Sequence, residues 1–456
     1  MAGNLAPVTV ELPAAVRAIL PAVRADLDEL IAIPSVSADP AAAGHVQRSS
    51  ELTAALLRAA GLRDVQILRV QGGMPAVVGH RPAPPGAPTV LLYAHHDVQP
   101  TGPLELWHTD PFTPTEVGDR LFARGAADDK AGIAVHLAAL RAHGERLPVG
   151  VVVLIEGEEE IGSPTLPAFL ATYADRLRAD VLVLADAQNW AVGVPALTVS
   201  LRGLVDCVVE VATLEHGIHS GMYGGAAPDA LSALCHLLAT LHDASGHVAV
   251  AGLTRSRVEA PELTEERYRA EAGVLPGVKL WGDGSIAERL WARPAISVIG
   301  LDASSIADAA NTLLPSARAK VSLRVAPGQK AQAAMAALKA HLEQHAPWGA
   351  RVTVTPGSAG EPFAANAQGP AYDAARAAFA QAWGSEPVDC GAGGSIPFIA
   401  AFAEQFPAAA ILVTGVEDPD TRAHAANESL HLVEFARACV AEALLLERLG
   451  ALPGRT

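Results

Sequence analysis

Apolar positions recur along this chain at two spacings, and the spacing changes along its length. Leu20, Val23, Leu27 and Ile31 fall one helical turn apart, predicting an opening helix that Pro34 ends. A second helix is expected after Ser49, stopping at Gly61. Val65–Val70 and Ala76–Val78 read as short strands and Val90–Tyr93 as a strong one. Ile133, Leu137 and Leu140 mark a helix after Lys130, and Val149–Ile155 and Val181–Ala185 are unbroken apolar runs. Buried strands alternating with helices predict a largely parallel α/β sheet.

After about Val199 the texture changes. Val205–Val211 alternates like a strand with one exposed face, and Leu231, Leu234, Leu238 and Leu241 form a helical stripe. Ala319–Val325 is again strand-like, a helix is expected over Ala331–His345, and Val352–Val354 is a short strand. From about Glu361 the first texture returns, with a helix carrying Tyr372, Ala375, Phe379 and Trp383, a core strand at Ala410–Val413 and a long final helix. The expected fold class is α/β: a catalytic domain with a mostly parallel central sheet flanked by helices, over 1–198 and 358–456. A smaller α+β lid over 199–357 interrupts it.

Length and composition fit this picture. A chain of 456 residues exceeds one core of usual size, and 50% hydrophobic with 18% charged residues describes a globular protein. A formal net charge of -16 argues against nucleic acid as a partner, since phosphate binding needs a basic face. Met1 to Pro13 lacks a basic start leading into an apolar run, and no apolar stretch nears the ~20 residues needed to cross a bilayer. A cytoplasmic protein without membrane contact is expected. Cys207, Cys235, Cys390 and Cys439 contain no CxxC pair and read as buried free thiols in a reducing compartment.

The chemistry gathers where the apolar runs stop. The strand at Val90–Tyr93 leads into His95-His96-Asp97, and alternation puts His95 and Asp97 on one face with His96 on the other. Asp128 and Asp129 precede a helix; both could cap it, or Asp129 could cap while Asp128 faces a site. Glu156-Gly157-Glu158-Glu159-Glu160 follows a buried strand directly, and carboxylates crowded there repel unless cations neutralise them. Open α/β sheets place ligands beyond the carboxyl ends of their strands. Asp186 and His424 also follow core strands, so strand ends offer two His, two Asp and one Glu. That set suits zinc above all, with manganese or cobalt as alternatives, and five ligands suit two ions sharing a carboxylate.

At these residues the chain resembles the co-catalytic metallopeptidase family of aminoacylases, carboxypeptidases, succinyl-diaminopimelate desuccinylases and carnosinase-type dipeptidases. Tyr93-Ala94-His95-His96-Asp97-Val98-Gln99-Pro100, Gly217-Ile218-His219-Ser220-Gly221-Met222-Tyr223-Gly224-Gly225 and Gly393-Gly394-Ser395-Ile396-Pro397 are similar to motifs of the dipeptidase branch. The resemblance covers nearly the whole chain and implies two divalent metal ions. Asp128 would bridge them, His95 and Asp186 completing one site, Glu160 and His424 the other. Asp97 would orient His95, and Glu159 would act as general base on a shared water. The inserted domain would also dimerise, His219 stabilising an oxyanion in the partner's active site. Arg324, Gly394 and Ser395 would hold the C-terminal carboxylate of a small peptide, with Asn311 and Thr312 lining the pocket.

The implied activity is metal-dependent hydrolysis of dipeptides or very short peptides. An N-acyl amino acid amidohydrolase or carboxypeptidase with the same metal site is the alternative, and a non-catalytic binding protein the remaining one. One departure stands out. The dipeptidase branch carries Arg-Glu before Gly-Gly-Ser-Ile-Pro, where this chain has Gly391-Ala392.

Overall fold

A computed structural model describes residues 11–258, 260–394 and 396–454; most of the N-terminal stretch read above, and Ser395, lie outside the described residues. The chain forms two compact units. One is drawn from Met1–Val199, Ala365–Cys390 and Pro397–Thr456, the other from Ser200–Ala364 and Gly391–Ile396.

In the first unit, β1 (Arg63–Leu68), β2 (Ala76–Arg81), β3 (Thr89–His95), β4 (Gly150–Glu156) and β5 (Val181–Leu184) share a six-stranded sheet with the later strand Ala410–Val413. The order is β1-β2-β4-β3-β5, then Ala410–Val413. β3 pairs in parallel with β4, His95 opposite Glu156, and with β5, Tyr93 opposite Leu184. Ala410–Val413 adds to β5 in parallel, while β2 runs antiparallel to β1 and β4.

Both faces of the parallel strands are buried, so their sequences show no polar alternation. Val90, Leu92 and Ala94 join Val151, Val153 and Ile155 in the main core. That core is shared with α1 (Glu11–Ile31), part of α2 (Ala43–Ala59), α3 (Lys130–His143) and the helix Leu432–Leu449. Tyr93 stacks instead on Phe398, ring centroids 4.0 Å apart.

α2 corrects the expected start after Ser49, beginning at Ala43. Its inward positions include Ser49, Ser50 and Thr53, so no apolar stripe announces it. Ser49 has a job: with Ser35 it donates to the His96 carbonyl, at 3.2 and 2.6 Å, fixing the chain where β3 ends.

The second unit is built on an antiparallel sheet of β6 (Gly203–Ala212), β7 (Ala295–Asp302), β8 (Ser316–Val325) and β9 (Arg351–Gly360), in the order β7-β8-β6-β9. Val205, Cys207, Val209 and Val211 of β6 and Val321, Leu323 and Val325 of β8 point into a core with α4 (Ala230–Ala239) and α5 (Ala331–Gln344). Lys320, Ser322 and Arg324 take the opposite face, as alternation requires. β9 continues past residue 357 because Ala359 and Gly360 still pair with Val205 and Leu204 of β6.

Two expectations shift here. The buried stripe of α4 is Ala230, Ala233, Leu234 and Leu237, leaving Leu231 and Leu238 only partly covered. Cys235 therefore lies on the outer side of that helix and is exposed, whereas Cys207, Cys390 and Cys439 are buried; all four are free. Among the described residues, no helix is long and apolar enough to cross a membrane.

Candidate metal centre

Every expected ligand falls in the first unit, at or beyond a strand's carboxyl end or in the loop before α3. β3 ends on His95, β4 runs into Glu156 and the acidic turn, β5 is followed by Asp186, and the loop after Ala410–Val413 carries His424. Asp128 and Asp129 divide their roles. Asp129 is the N-cap of α3, accepting from the Gly132 N–H at 3.2 Å, and its other oxygen accepts from the His95 N–H at 3.1 Å. Asp128 faces the site.

Its two oxygens meet different histidines. Oδ1 lies 3.1 Å from His95 Nε2 and Oδ2 lies 3.0 Å from His424 Nε2. His95 Nε2 is also 3.9 Å from Asp186, and His424 Nε2 is 3.2 Å from Glu160. The ligands thus form two triads, His95–Asp128–Asp186 and Asp128–Glu160–His424, with the ligand atoms of each within 4.8 Å of one another. The donor chemistry fits two divalent ions with Asp128 between them. His95 Nδ1 donates to the Asp97 carbonyl at 3.1 Å, which reserves the Nε2 lone pair for an ion. His424 sits at a left-handed φ of 63°, a conformation that surrounding structure must impose on a non-glycine residue.

The electrostatics describe a site that demands positive charge. Burial opposes a charged His95, yet its hydrogen bonds to Asp128 and Asp97 and the charge of Asp186 hold its pKa well above the usual imidazole range. Hydrogen bonds to Asp128 and Glu160 push His424 to about 11. Burial, with Asp128 and Glu160 nearby, raises Asp186 to about 7. Divalent ions would displace these protons, and their binding would release acid.

The acidic turn after β4 separates into structural and free carboxylates. Glu156 accepts from the Tyr93 hydroxyl at 2.6 Å, and burial raises it to about 7. Glu158 accepts from the N–H groups of Met74 and Thr165 at 3.1 and 2.8 Å. Glu160 belongs to a triad, and Gln99 donates to both of its oxygens, at 3.0 and 2.8 Å. Glu159 belongs to neither triad. Burial, reinforced by Asp186, Glu160 and Asp97, raises its pKa well above the usual range for a carboxyl group. Asp97 has a second use besides His95, whose Nδ1 lies 3.5 Å from its carboxylate: it accepts from the Glu159 and Glu160 N–H groups at 3.3 and 3.1 Å.

Sequence reasoning missed what holds Asp128. Glu428 is completely buried and accepts from the N–H groups of Gly125, Ala127 and Asp128 at 3.0, 3.0 and 3.2 Å. It also pairs with Arg124 at 2.6 Å, and Arg124 donates on to the carbonyls of Pro100 and Ala425. Three loops bearing the site are tied together by this pair. Its sequence signal was slight: a glutamate four residues after a histidine, in a loop.

The remaining candidates lie in the second unit. His219 pairs with Thr312 across a short antiparallel ladder, and Asn311 accepts from the Ser220 N–H at 2.9 Å, so His219, Asn311 and Thr312 are neighbours. His219 is exposed, and its Nδ1 accepts from the Gly221 N–H at 3.1 Å. Arg324 is half-buried, and its guanidinium has no hydrogen-bond or ion-pair partner among the described residues. Gly394 is exposed, and Ser395 lies outside the described residues. The Gly391 departure has a steric counterpart: a Cβ there would fall 2.6 Å from Trp291 Cβ and 2.8 Å from Ser200 Oγ. Trp291 fills the space a larger side chain would need.

Comparison with known proteins gives the family. The model of peptidase family M20/M25/M40 matches residues 91–448. The cysteinylglycine-S-conjugate dipeptidase of Corynebacterium striatum is 36% identical over 428 residues, covering 92% of this chain and 94% of that protein. The Beta-Ala-His dipeptidase of Homo sapiens is 29% identical, covering 78% of this chain and 74% of its own. Among solved structures, human carnosine dipeptidase 1 superposes with a TM-score of 0.84 at 26% identity, over 98% of this chain and 100% of the other. The dipeptidase Dug1p of Saccharomyces cerevisiae shares the fold, with a TM-score of 0.83 at 23% identity, over 97% of this chain and 98% of the other.

Proposed function

The chain belongs to peptidase family M20/M25/M40, and we propose that it hydrolyses dipeptides or very short peptides with a free C-terminal carboxylate, using Glu159 as general base. The observation that carries this reading is a pair of candidate ligand triads sharing Asp128, beside the half-buried Glu159 carboxylate that belongs to neither. Divalent ions held there would lower the pKa of a water and polarise the scissile carbonyl. Two imidazoles among carboxylates favour zinc, then manganese or cobalt. Glu159 takes the proton of the attacking water and delivers it to the leaving amine. Arg324, a guanidinium without a partner among the described residues, is suited to the substrate carboxylate. Four free cysteines support a reducing compartment such as the cytoplasm.

The test is a hydrolysis screen of metal-stripped protein with and without zinc, manganese or cobalt. The panel would hold a cysteinylglycine S-conjugate, β-alanyl-histidine, unrelated dipeptides, a tripeptide and several N-acyl amino acids. Metal-dependent cleavage confined to dipeptides is expected. Cleavage of the acyl amino acids instead would make the protein an amidohydrolase with the same centre. No cleavage with two ions bound would sink the catalytic reading.

We further propose a homodimer in which each His219 serves the partner's site. β7 is an edge strand of its sheet and exposes Val298, Ile299 and Leu301, at 46, 59 and 51%. An apolar edge of this kind invites a covering chain. With Nδ1 accepting from Gly221, neutral His219 carries its proton on Nε2, a donor for an oxyanion. Mixing inactive Glu159→Gln and His219→Ala variants should restore activity, because only a histidine acting across subunits can complement. A mixture that stays inactive although sedimentation shows mixed dimers would refute that role, and an active monomer would refute the dimer.

A further inference from the structure

The second unit contains a buried cation that the proposed reaction has not used. Arg202, between the end of Ala196–Leu201 and β6, is 8% exposed. Its backbone N–H donates to the Ala392 carbonyl at 3.2 Å, and its Nε donates to the Gly393 carbonyl at 3.3 Å. Nη1 reaches the carbonyls of Arg289 and Arg293, at 3.4 and 3.3 Å. Its side-chain partners among the described residues are therefore all neutral carbonyls. No carboxylate pairs with it among the described residues, although burying an uncompensated charge is costly.

Arg324 is in the same position. In the β6–β8 register Arg324 lies opposite Leu204 and Val325 opposite Gly203, so Arg202 falls one diagonal step from Arg324. The effect is felt: burial lowers the Arg202 pKa to about 10, and the Arg324 charge adds to the fall. Two neighbouring guanidiniums without an acid between them leave a local field that an anion would neutralise. Arg202 also pins the main chain immediately before Gly394.

Resting on the carboxylate reading of Arg324, we propose that Arg202 is a positioning and specificity-determining residue of the same seat. It holds the Ala392–Gly393 main chain in place, just before Gly394, and supplies the second positive charge of an anion site. The ligand is the C-terminal carboxylate of the substrate. The seat is thus built on backbone and paired guanidiniums, in a chain that has Gly391-Ala392 rather than a charged pair.

The experiment compares wild type, Arg202→Met, Arg202→Lys and Arg324→Met on one dipeptide that the wild type cleaves and on its C-terminal amide. Folding is checked by circular dichroism and thermal melting. For Arg202→Met, KM on the free acid should rise about 10- to 100-fold with kcat within about threefold, and the preference for acid over amide should shrink. Arg202→Lys keeps the charge but cannot span three carbonyls, so its KM should fall between. An unchanged KM in folded Arg202→Met, or equal losses on acid and amide, would leave Arg202 a purely structural residue and overturn the proposal. Should Arg202→Met fail to fold, Arg202→Lys decides: a wild-type KM and acid preference there rule out the loop-holding role. A wild type that does not distinguish acid from amide, or an Arg324→Met variant as active on the acid as wild type, would instead fault the carboxylate reading itself.

Discussion

Glu159→Gln is expected to bind its ions normally and to lose turnover by about 10²- to 10⁴-fold, the range set by removing a positioned general base. The expectation follows from where the carboxylate sits. Glu159 is outside both ligand triads, so changing it to an amide removes no donor from either ion. Its backbone is fixed by the Asp97 carboxylate at 3.3 Å, so the substitution leaves the turn in place. Burial and the surrounding acids make Glu159 hold a proton readily, the property a group needs to carry one from water to amine. The measurement pairs kcat on a cleaved dipeptide with metal content by mass spectrometry. A variant that retained two ions and full kcat would remove Glu159 from the mechanism.

Glu428→Ala should be the most damaging change away from the ligands themselves. It would strip the acceptor from three backbone N–H groups and leave Arg124, 1% exposed, without its counter-ion. Breaking a buried pair in this way costs about 3–5 kcal/mol. Because one of the freed N–H groups is that of Asp128, metal affinity should fall as well, by about 10- to 100-fold. Thermal melting and metal titration of the purified variant read the two effects separately. Glu428→Gln, which keeps the shape and one acceptor oxygen, should lose less of both. A Glu428→Ala protein with wild-type melting and wild-type metal affinity would show that the loop holds its form unaided.

The contrast between these two residues marks what the sequence could reveal. The acidic turn with Glu159 and Glu160 stood out because parallel strands buried on both faces read as unbroken apolar runs, and carboxylates crowded at the end of one need a reason; His95, Asp186 and the separate role of each acid became specific only through the family resemblance. Local pattern alone did not separate Asp129 from Asp128, since both precede a helix and either could cap it; the family resemblance picked Asp128, and the structure makes Asp129 the N-cap. Glu428 and Arg124 were invisible for a different reason. Their partners are backbone groups and each other, 304 positions apart, and a loop glutamate looks like any solvated acid. The same limit hid the start of α2, where buried serines serve the His96 carbonyl and break the apolar period. In α4 the expected leucine stripe is turned: Leu234 is buried beside Ala230, Ala233 and Leu237, while Leu231 and Leu238 are only partly covered, which brings Cys235 outward.

The span of the Glu428 network also bears on when the protein becomes active. Asp128 is held by a residue 300 positions further along the chain, and His424 completes the second triad from the same late segment. A ribosome delivers the N-terminal portion first. By the time Glu160 and Asp186 emerge, the nascent chain carries an acidic cluster with neither its last imidazole nor the clamp on Asp128. The candidate metal centre is therefore complete only once the chain has been made and folded through residue 428.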